Sequence, residues 1–354
     1  MIKMERILNV MNKKMLSVIL PVYNGENYLQ DMLHSIDEQT YENYELIIVN
    51  DGSTDSSREI CEEWKQRNAH IKIFDKENGG TSSARNLALE FAQGKYVLFL
   101  DQDDTIDQCM FHELVSCMEN EKVDMLISSK KFIVEKEKGK VNVQEYTFDE
   151  QTIATMEQKE RLLFNIERRN EISTIWNCIY RLDIIQQKKI RFSEYLKHGG
   201  EDGLFNYEFI IKAGVVKLIS KKYYNYYLRY GFSTVTKYNG DVIRDKLYAY
   251  EEMTKISTGI LDEKKMENYI QYDKLRMVKT IYQHFSYYQK GGIKSKIDML
   301  RNICQQLHMN QNYTKICTKN SLYDRYVSFI SAQIKEERYL TMVVFFEILM
   351  RIGR

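Results

Sequence analysis

Apolar positions along the first hundred residues come in alternating blocks. "LSVIL" (16–20) is a continuous apolar run apart from Ser17 and stops at Pro21, the single proline of the chain. Proline cannot donate to a sheet ladder, so it marks the strand's exit. The next block, "ENYLQDMLHSIDEQ", sets Leu29, Met32, Leu33 and Ile36 at helical spacing and predicts an amphipathic helix. The alternation repeats with "YELIIVN" as strand, a helix from about Thr54 to Arg67, and "IKIF" as strand. A helix with Ala84, Leu87, Ala88 and Phe91 on one stripe and a fourth strand, "KYVLFL", complete it. Continuous apolar strands separated by helices predict a mainly parallel sheet with helices on both faces.

Ligands of such sheets bind outside the carboxyl ends of the strands. Three of these strands run into polar, turn-forming segments: "YNGEN" after the first, "NDGSTD" after the second and "DQDD" after the fourth. One polar strand end is a loop; three converging ends make a site.

From about residue 141 the alternation gives way to a more irregular region with "STIWNCIYRLDII", "HGGEDGLFNYEFIIKAG" and "YYNYYLRYGFST". Beyond about 241 the chain reads as helices rich in Lys, Glu, Tyr and Met. The expected division is a catalytic domain over 1–240, with halves of about 15–130 and 131–240, and a helical C-terminal domain over 241–354.

Composition narrows the picture. With 51 Lys and Arg against 50 Asp and Glu, the net charge of +1 gives no global attraction to nucleic acid or to an anionic membrane. Six cysteines occur without a CxxC pair or histidines at metal-ligand spacing, which argues against structural zinc. With no signal-peptide pattern at the N-terminus, reduced thiols and a cytoplasmic location are expected. No apolar run reaches the roughly 18 residues of a membrane span. The C-terminal "YLTMVVFFEILMRIGR" (339–354), bracketed by Lys335, Arg338, Arg351 and Arg354, reads as a buried helix or as a peripheral foot on the inner face of the cell membrane. The region after 240 as a whole would serve an acceptor, a second copy of the chain or a membrane surface.

In an extended backbone Asp101 and Asp103 point to one side, and Gln102 and Asp104 to the other. Two carboxylates on one side suit a hard divalent cation such as Mg²⁺ or Mn²⁺, which relieves their repulsion and takes its other oxygens from phosphate and water. The plainer alternative is that Asp103 and Asp104 cap a helix beginning near Thr105.

The run "LSVILPVYNGENYLQDMLHSIDEQTYENYELIIVNDGSTDSS", followed by "NGGTSSARNLAL" and "GKYVLFLDQDD", resembles the inverting family 2 glycosyltransferases with the GT-A fold. The likeness covers residues 15 to about 110 without a gap and extends more weakly to about 235. It implies a Rossmann-like, mainly parallel sheet flanked by helices, binding a nucleoside-diphosphate sugar, UDP-linked by expectation, together with Mn²⁺ or Mg²⁺. By resemblance, Pro21, Tyr23, Asn24 and Glu26 form the first nucleotide-contacting loop, and Asp51 accepts the ring N–H of the base. Gly80 and Arg85 belong to the segment running under the nucleotide. Asp101 contacts ribose or a metal-bound water, Asp103 ligates the metal directly, and whether Asp104 shares it stays open. Gln102 stands where serine is common and is expected to matter little.

The same resemblance makes Asp202, in "HGGEDGLF", the base that takes the proton of the acceptor hydroxyl, with Glu201 orienting it or bonding the acceptor. Two acidic residues at a helix start also suit the macrodipole, which is expected to lower the pKa of Asp202. Trp176 and Asn177 match an acceptor-side segment in which the family often has lysine at the position of Cys178. A buried Trp packing two subdomains is the competing reading. Arg229 and Ser233 resemble a segment that closes over the diphosphate, and the tyrosines at 223, 224, 226 and 227 would stack on sugar rings or fill core and rim.

Two rivals compete with transfer: a nucleotidyltransferase, disfavoured because "PVYNGEN" is not a glycine- and lysine-rich triphosphate loop, and a non-catalytic glycan-binding protein on the same scaffold. A dehydrogenase is disfavoured because no GxGxxG follows the first strand.

Overall fold

The computed structural model describes residues 15–135, 141–165, 171–197, 199–229, 241–288, 292–307, 309 and 322–351. They form two compact units, one drawn from Met1–Leu163 and Arg168–Ser233, the other from Phe164–Glu167 and Thr234–Arg354.

In the first unit, strands β1 (Leu16–Val22), β2 (Tyr44–Asn50), β3 (Ile71–Asp75) and β4 (Tyr96–Phe99) alternate with helices α1 (Leu29–Asp37), α2 (Ser57–Arg67) and α3 (Thr81–Phe91). Every residue of β1, β2 and β4 is buried, as strands covered on both faces require. After β5 (Thr105–Ile106) and α4 (Met110–Glu121) come β6 (Met125–Ser128), β7 (Lys130–Glu135), β8 (Val141–Tyr146) and β9 (Gln151–Ile153). The unit continues with α5 (Met156–Leu163), β10 (Cys178–Arg181), α6 (Leu182–Gln187), α7 (Glu201–Lys212), β11 (Val216–Ile219) and β12 (Tyr224–Arg229). The main sheet runs β3-β2-β1-β4-β10-β6-β11-β9, and β10 lies antiparallel to both neighbours in an otherwise mainly parallel arrangement. A second sheet, β5-β12-β7-β8, takes two of its strands, β8 and β12, from the region whose sequence reads as irregular.

Three boundaries differ from the sequence expectation. Strand β1 continues through Pro21, which pairs in register with Val49. Helix α2 starts at Ser57 rather than near Thr54, because the N–H groups of Thr54 and Ser56 bond to Asn24 Oδ1 (2.8 Å) and Glu26 Oε2 (3.1 Å). Thr105 begins a strand and the next helix starts at Met110, so Asp103 and Asp104 cap no helix.

An aromatic stack backs the second sheet. Trp176, 2% exposed, lies against Tyr224 and Tyr226 with ring centroids 4.6 and 5.3 Å away, and Phe132 meets it edge-on.

The second unit contains α8 (Val242–Ser257), α9 (Glu263–Tyr288), α10 (Ile293–Gln306), α11 (Leu322–Lys335) and α12 (Tyr339–Arg351) around a core that includes Leu275, Val278, Tyr282, Leu300, Met342 and Phe346. Glu347 of α12 accepts from the Tyr282 hydroxyl at 2.7 Å and pairs with Lys296. The side of α12 turned away from the core positions Met342 and Phe346 leaves Leu340, Val344 and Ile348 about half exposed, one turn apart. Among the described residues no helix is long and apolar enough to cross a membrane.

Because Trp176 fills a stack rather than a surface, Trp176→Ala should lower unfolding free energy by about 3–5 kcal/mol, measured by denaturant titration. A solvent-side sugar platform would instead cost activity and leave the midpoint in place.

Candidate active site

The site starts at the ends of β1, β2 and β4. Beyond β2, the buried Asp51 carboxylate accepts from the backbone N–H groups of Gly79 (2.9 Å) and Gly80 (2.7 Å) and from Lys76 (2.6 Å). Gly80 precedes α3 with φ +89°, a conformation open to glycine at little cost. Asp51 thereby anchors the start of α3, and one turn further on that helix carries Arg85.

Arg85 is 3% exposed, with its guanidinium over the Phe192 ring at 5.3 Å. It donates to Asp101 Oδ1 at 2.8 Å and to Asp202 Oδ1 at 2.9 Å, with Glu201 at 3.8 Å. Burial works against its charge, and Asp202, Asp101 and Glu201 outweigh that to hold it protonated. One cation thus joins the end of β4 to the first turn of α7.

Asp202 departs from the helix-dipole expectation. Burial pushes its pKa up, to about 7; Arg85 pulls it down, and Glu201 and Asp101 push it up again. Desolvation together with two like charges outweighs Arg85, and the lowering expected from the helix start does not prevail.

The acidic run sends its four side chains in different directions. Asp101 goes to Arg85, and its N–H bonds the Tyr224 hydroxyl at 3.1 Å. The Gln102 carboxamide accepts from Tyr23 N–H (2.9 Å) and donates to Tyr23 C=O (2.8 Å), so this side chain matters more than the sequence led us to expect. Asp103 is half exposed, and its pKa is raised by partial enclosure and by Asp101. Asp104 is 1% exposed and accepts from Tyr224 Oη (2.8 Å) and Tyr227 N–H (2.8 Å). It braces the loop from behind, leaving Asp103 and the edge of Asp101 toward solvent.

The first loop is cross-linked to the second. Asn24, at φ +46°, and Gly25 and Glu26 give their N–H groups to Ser53 Oγ (3.2 Å), Ser57 Oγ (2.8 Å) and Asp55 Oδ2 (3.1 Å). Asn24 and Glu26 therefore shape the loop, Pro21 is buried in β1, and Tyr23 presents its ring at 47% exposure.

Arg229 sits between the rings of Tyr28 (4.0 Å) and Tyr227 (4.6 Å) and donates to the Asp103 carbonyl at 2.6 Å. Ser233 and His198 lie outside the described residues. Asn177 is fully buried and bonded to Ser128 O at 2.6 Å, so it and Trp176 lie beneath the site rather than lining it.

Sequence reasoning missed several participants. Phe192 and Tyr28 carry no local signal. Lys130 reads as one more charge in "SSKKF", yet it is buried over Trp176 at 5.6 Å, and burial lowers its pKa to about 8 against the opposing pull of Cys178 and Asp202. Cys178, where a lysine is common in the resembling family, is a buried thiol pushed up to about 12.

Residues 17–187 match the family model described as glycosyl transferase family 2. The chain is similar to the glycosyltransferase GlyA of Streptococcus pneumoniae, 32% identical over 61% of this chain and 31% of that protein. EpsJ of Bacillus subtilis, described as an uncharacterized glycosyltransferase, is 31% identical over 60% of each. The chain thus spans between about a third and three fifths of the length of these relatives. Its fold is similar to that of S. aureus TarS 1-349, solved in complex with UDP-GlcNAc, at TM-score 0.65 and 23% identity over 96% of this chain and 92% of that one.

Tyr224→Phe removes the hydroxyl shared by Asp101 and Asp104 and leaves a buried carboxyl short of a donor. A stability loss of about 1–3 kcal/mol should follow, read from the chemical denaturation midpoint.

Proposed function

We propose that this chain, whose residues 17–187 belong to glycosyl transferase family 2, moves a sugar with inversion from a nucleoside-diphosphate donor, UDP-linked as in the TarS complex, to an acceptor hydroxyl. A glycan, a lipid-linked or a protein-linked molecule would supply that hydroxyl. The observation that carries this reading is the bridge through Arg85, which puts the acidic loop and Asp202 around one buried cation.

Asp202 takes the acceptor proton as the acceptor oxygen forms its bond to the anomeric carbon. The bond from that carbon to the donor phosphate breaks, and the nucleoside diphosphate leaves with the electron pair. A base with a pKa near neutrality suits this task better than an ordinary carboxylate. Burial, and after it Glu201, keeps the pKa high, and Arg85 orients the Asp202 carboxylate toward the acceptor side.

Asp103, with the free edge of Asp101, fits a hard divalent ion. Two carboxylates are what Mg²⁺ or Mn²⁺ asks of a protein when phosphates complete the shell, and among the described residues no larger acidic or histidine cluster offers a separate metal site. When bound, the ion would neutralise charge on the leaving diphosphate. Tyr23 and the Asp51 loop would hold the nucleoside, with Gly80, Arg85 and Arg229 flanking the phosphates.

Ionised Asp202 is the active form, so kcat/KM should fall as pH drops through about 7, and Asp202→Asn should cut turnover at least about 100-fold while UDP still binds. Calorimetry for UDP and a pH series of nucleoside diphosphate release check both; near-normal turnover by the variant would remove Asp202 from the mechanism.

Membrane contact through residues 339–354 would use the exposed Leu340, Val344 and Ile348. Replacing all three with serine should then reduce sedimentation with anionic vesicles, and unchanged sedimentation would discard the contact.

A further inference from the structure

The ladder between β1 and β4 stops early, and a side chain resumes it. Strand β1 pairs with β4 from Leu16↔Tyr96 to Ile19↔Phe99, and Leu100 N–H closes the pairing on Ile19 C=O at 2.9 Å. In a parallel strand alternate residues turn their backbone groups to opposite neighbours. Val22 C=O accepts from Asp51 on the β2 side, so residues 19, 21 and 23 address β4. The next rung would run from residue 21 to the Leu100 carbonyl, and Pro21 has no N–H to make it.

Two residues on, the Gln102 carboxamide takes over. It accepts from Tyr23 N–H at 2.9 Å and donates to Tyr23 C=O at 2.8 Å, the two bonds a neighbouring strand would have made. Gly25 leaves room for it: a Cβ there would lie 2.4 Å from Gln102 Oε1 and would push the amide aside. A serine at 102 is too short to reach both Tyr23 groups.

We infer that Gln102 is a positioning residue, its carboxamide resuming the ladder beyond the rung Pro21 forbids and fixing the Tyr23–Gly25 loop against the acidic loop. This rests on the proposed reading, in which Tyr23 supports the nucleoside and Asp103 the diphosphate end. The clamp then sets the span between them, and its loss falls on donor affinity more than on turnover.

The test uses the full chain with Gln102→Met, Gln102→Glu and Gly25→Ala. Amide hydrogen exchange at Tyr23 should quicken at least about tenfold in each, with the rest of β1 unchanged. UDP affinity by calorimetry should weaken about tenfold, the scale of one paired hydrogen bond, and donor KM should rise with it while kcat moves less than about twofold. Gln102→Glu should be no better than Gln102→Met, because a carboxylate oxygen would face the Tyr23 carbonyl. Gly25→Ala added to Gln102→Met should cost less than Gly25→Ala alone. Unchanged exchange at Tyr23 overturns the clamp itself. Faster exchange with unaltered UDP affinity overturns its positioning role. Failure of the wild-type chain to bind UDP overturns the nucleotide reading and that role with it, and the exchange measurement still reports on the clamp.

Discussion

A guanidinium withheld from water and shared by carboxylates from two distant segments organises this molecule. Arg85 is held by Asp101 and Asp202, with Glu201 near, and removal of one partner from a buried pair of this kind typically costs about 3–5 kcal/mol. The pairing constrains the start of α7 against the end of β4. Burial, with the like charges of Glu201 and Asp101, outweighs Arg85 and keeps Asp202 protonated to higher pH than an ordinary aspartate. The contact supplies the geometry, while burial supplies the basicity against its pull.

Around that contact the protein builds rigidity from side chains bonded to backbone. The first loop is tied to the second through Asn24, Ser53, Asp55 and Ser57, and the acidic loop is braced by Tyr224, Tyr227 and Arg229. A loop held this way loses little conformational freedom when a ligand arrives, and weak polar contacts to the ligand then count more fully.

The half of the sheet that holds β1 to β4 was legible because its strands are continuous apolar runs between amphipathic helices, and the three polar strand ends marked the site. The second sheet was not: β7 and β8 are "KKFIVE" and "VNVQEY", with charged and half-exposed positions that blur any period. The partnership of Arg85 with Asp202 spans 117 residues, and no local pattern can state it; only the family resemblance brought Asp202 forward. Charge at a helix start suggested a depressed pKa for Asp202, and burial, which sequence does not display, reversed the sign. Lys130 was hidden for the same reason.

The way Asp51 is held bears on how its substitution should be understood. Its carboxylate fastens the backbone of Gly79 and Gly80 from which α3 springs, and Arg85 rides on that helix. A defect introduced at 51 would travel along the helix to the ion-pair centre, so lost catalysis there is no proof that the aspartate touches a nucleobase.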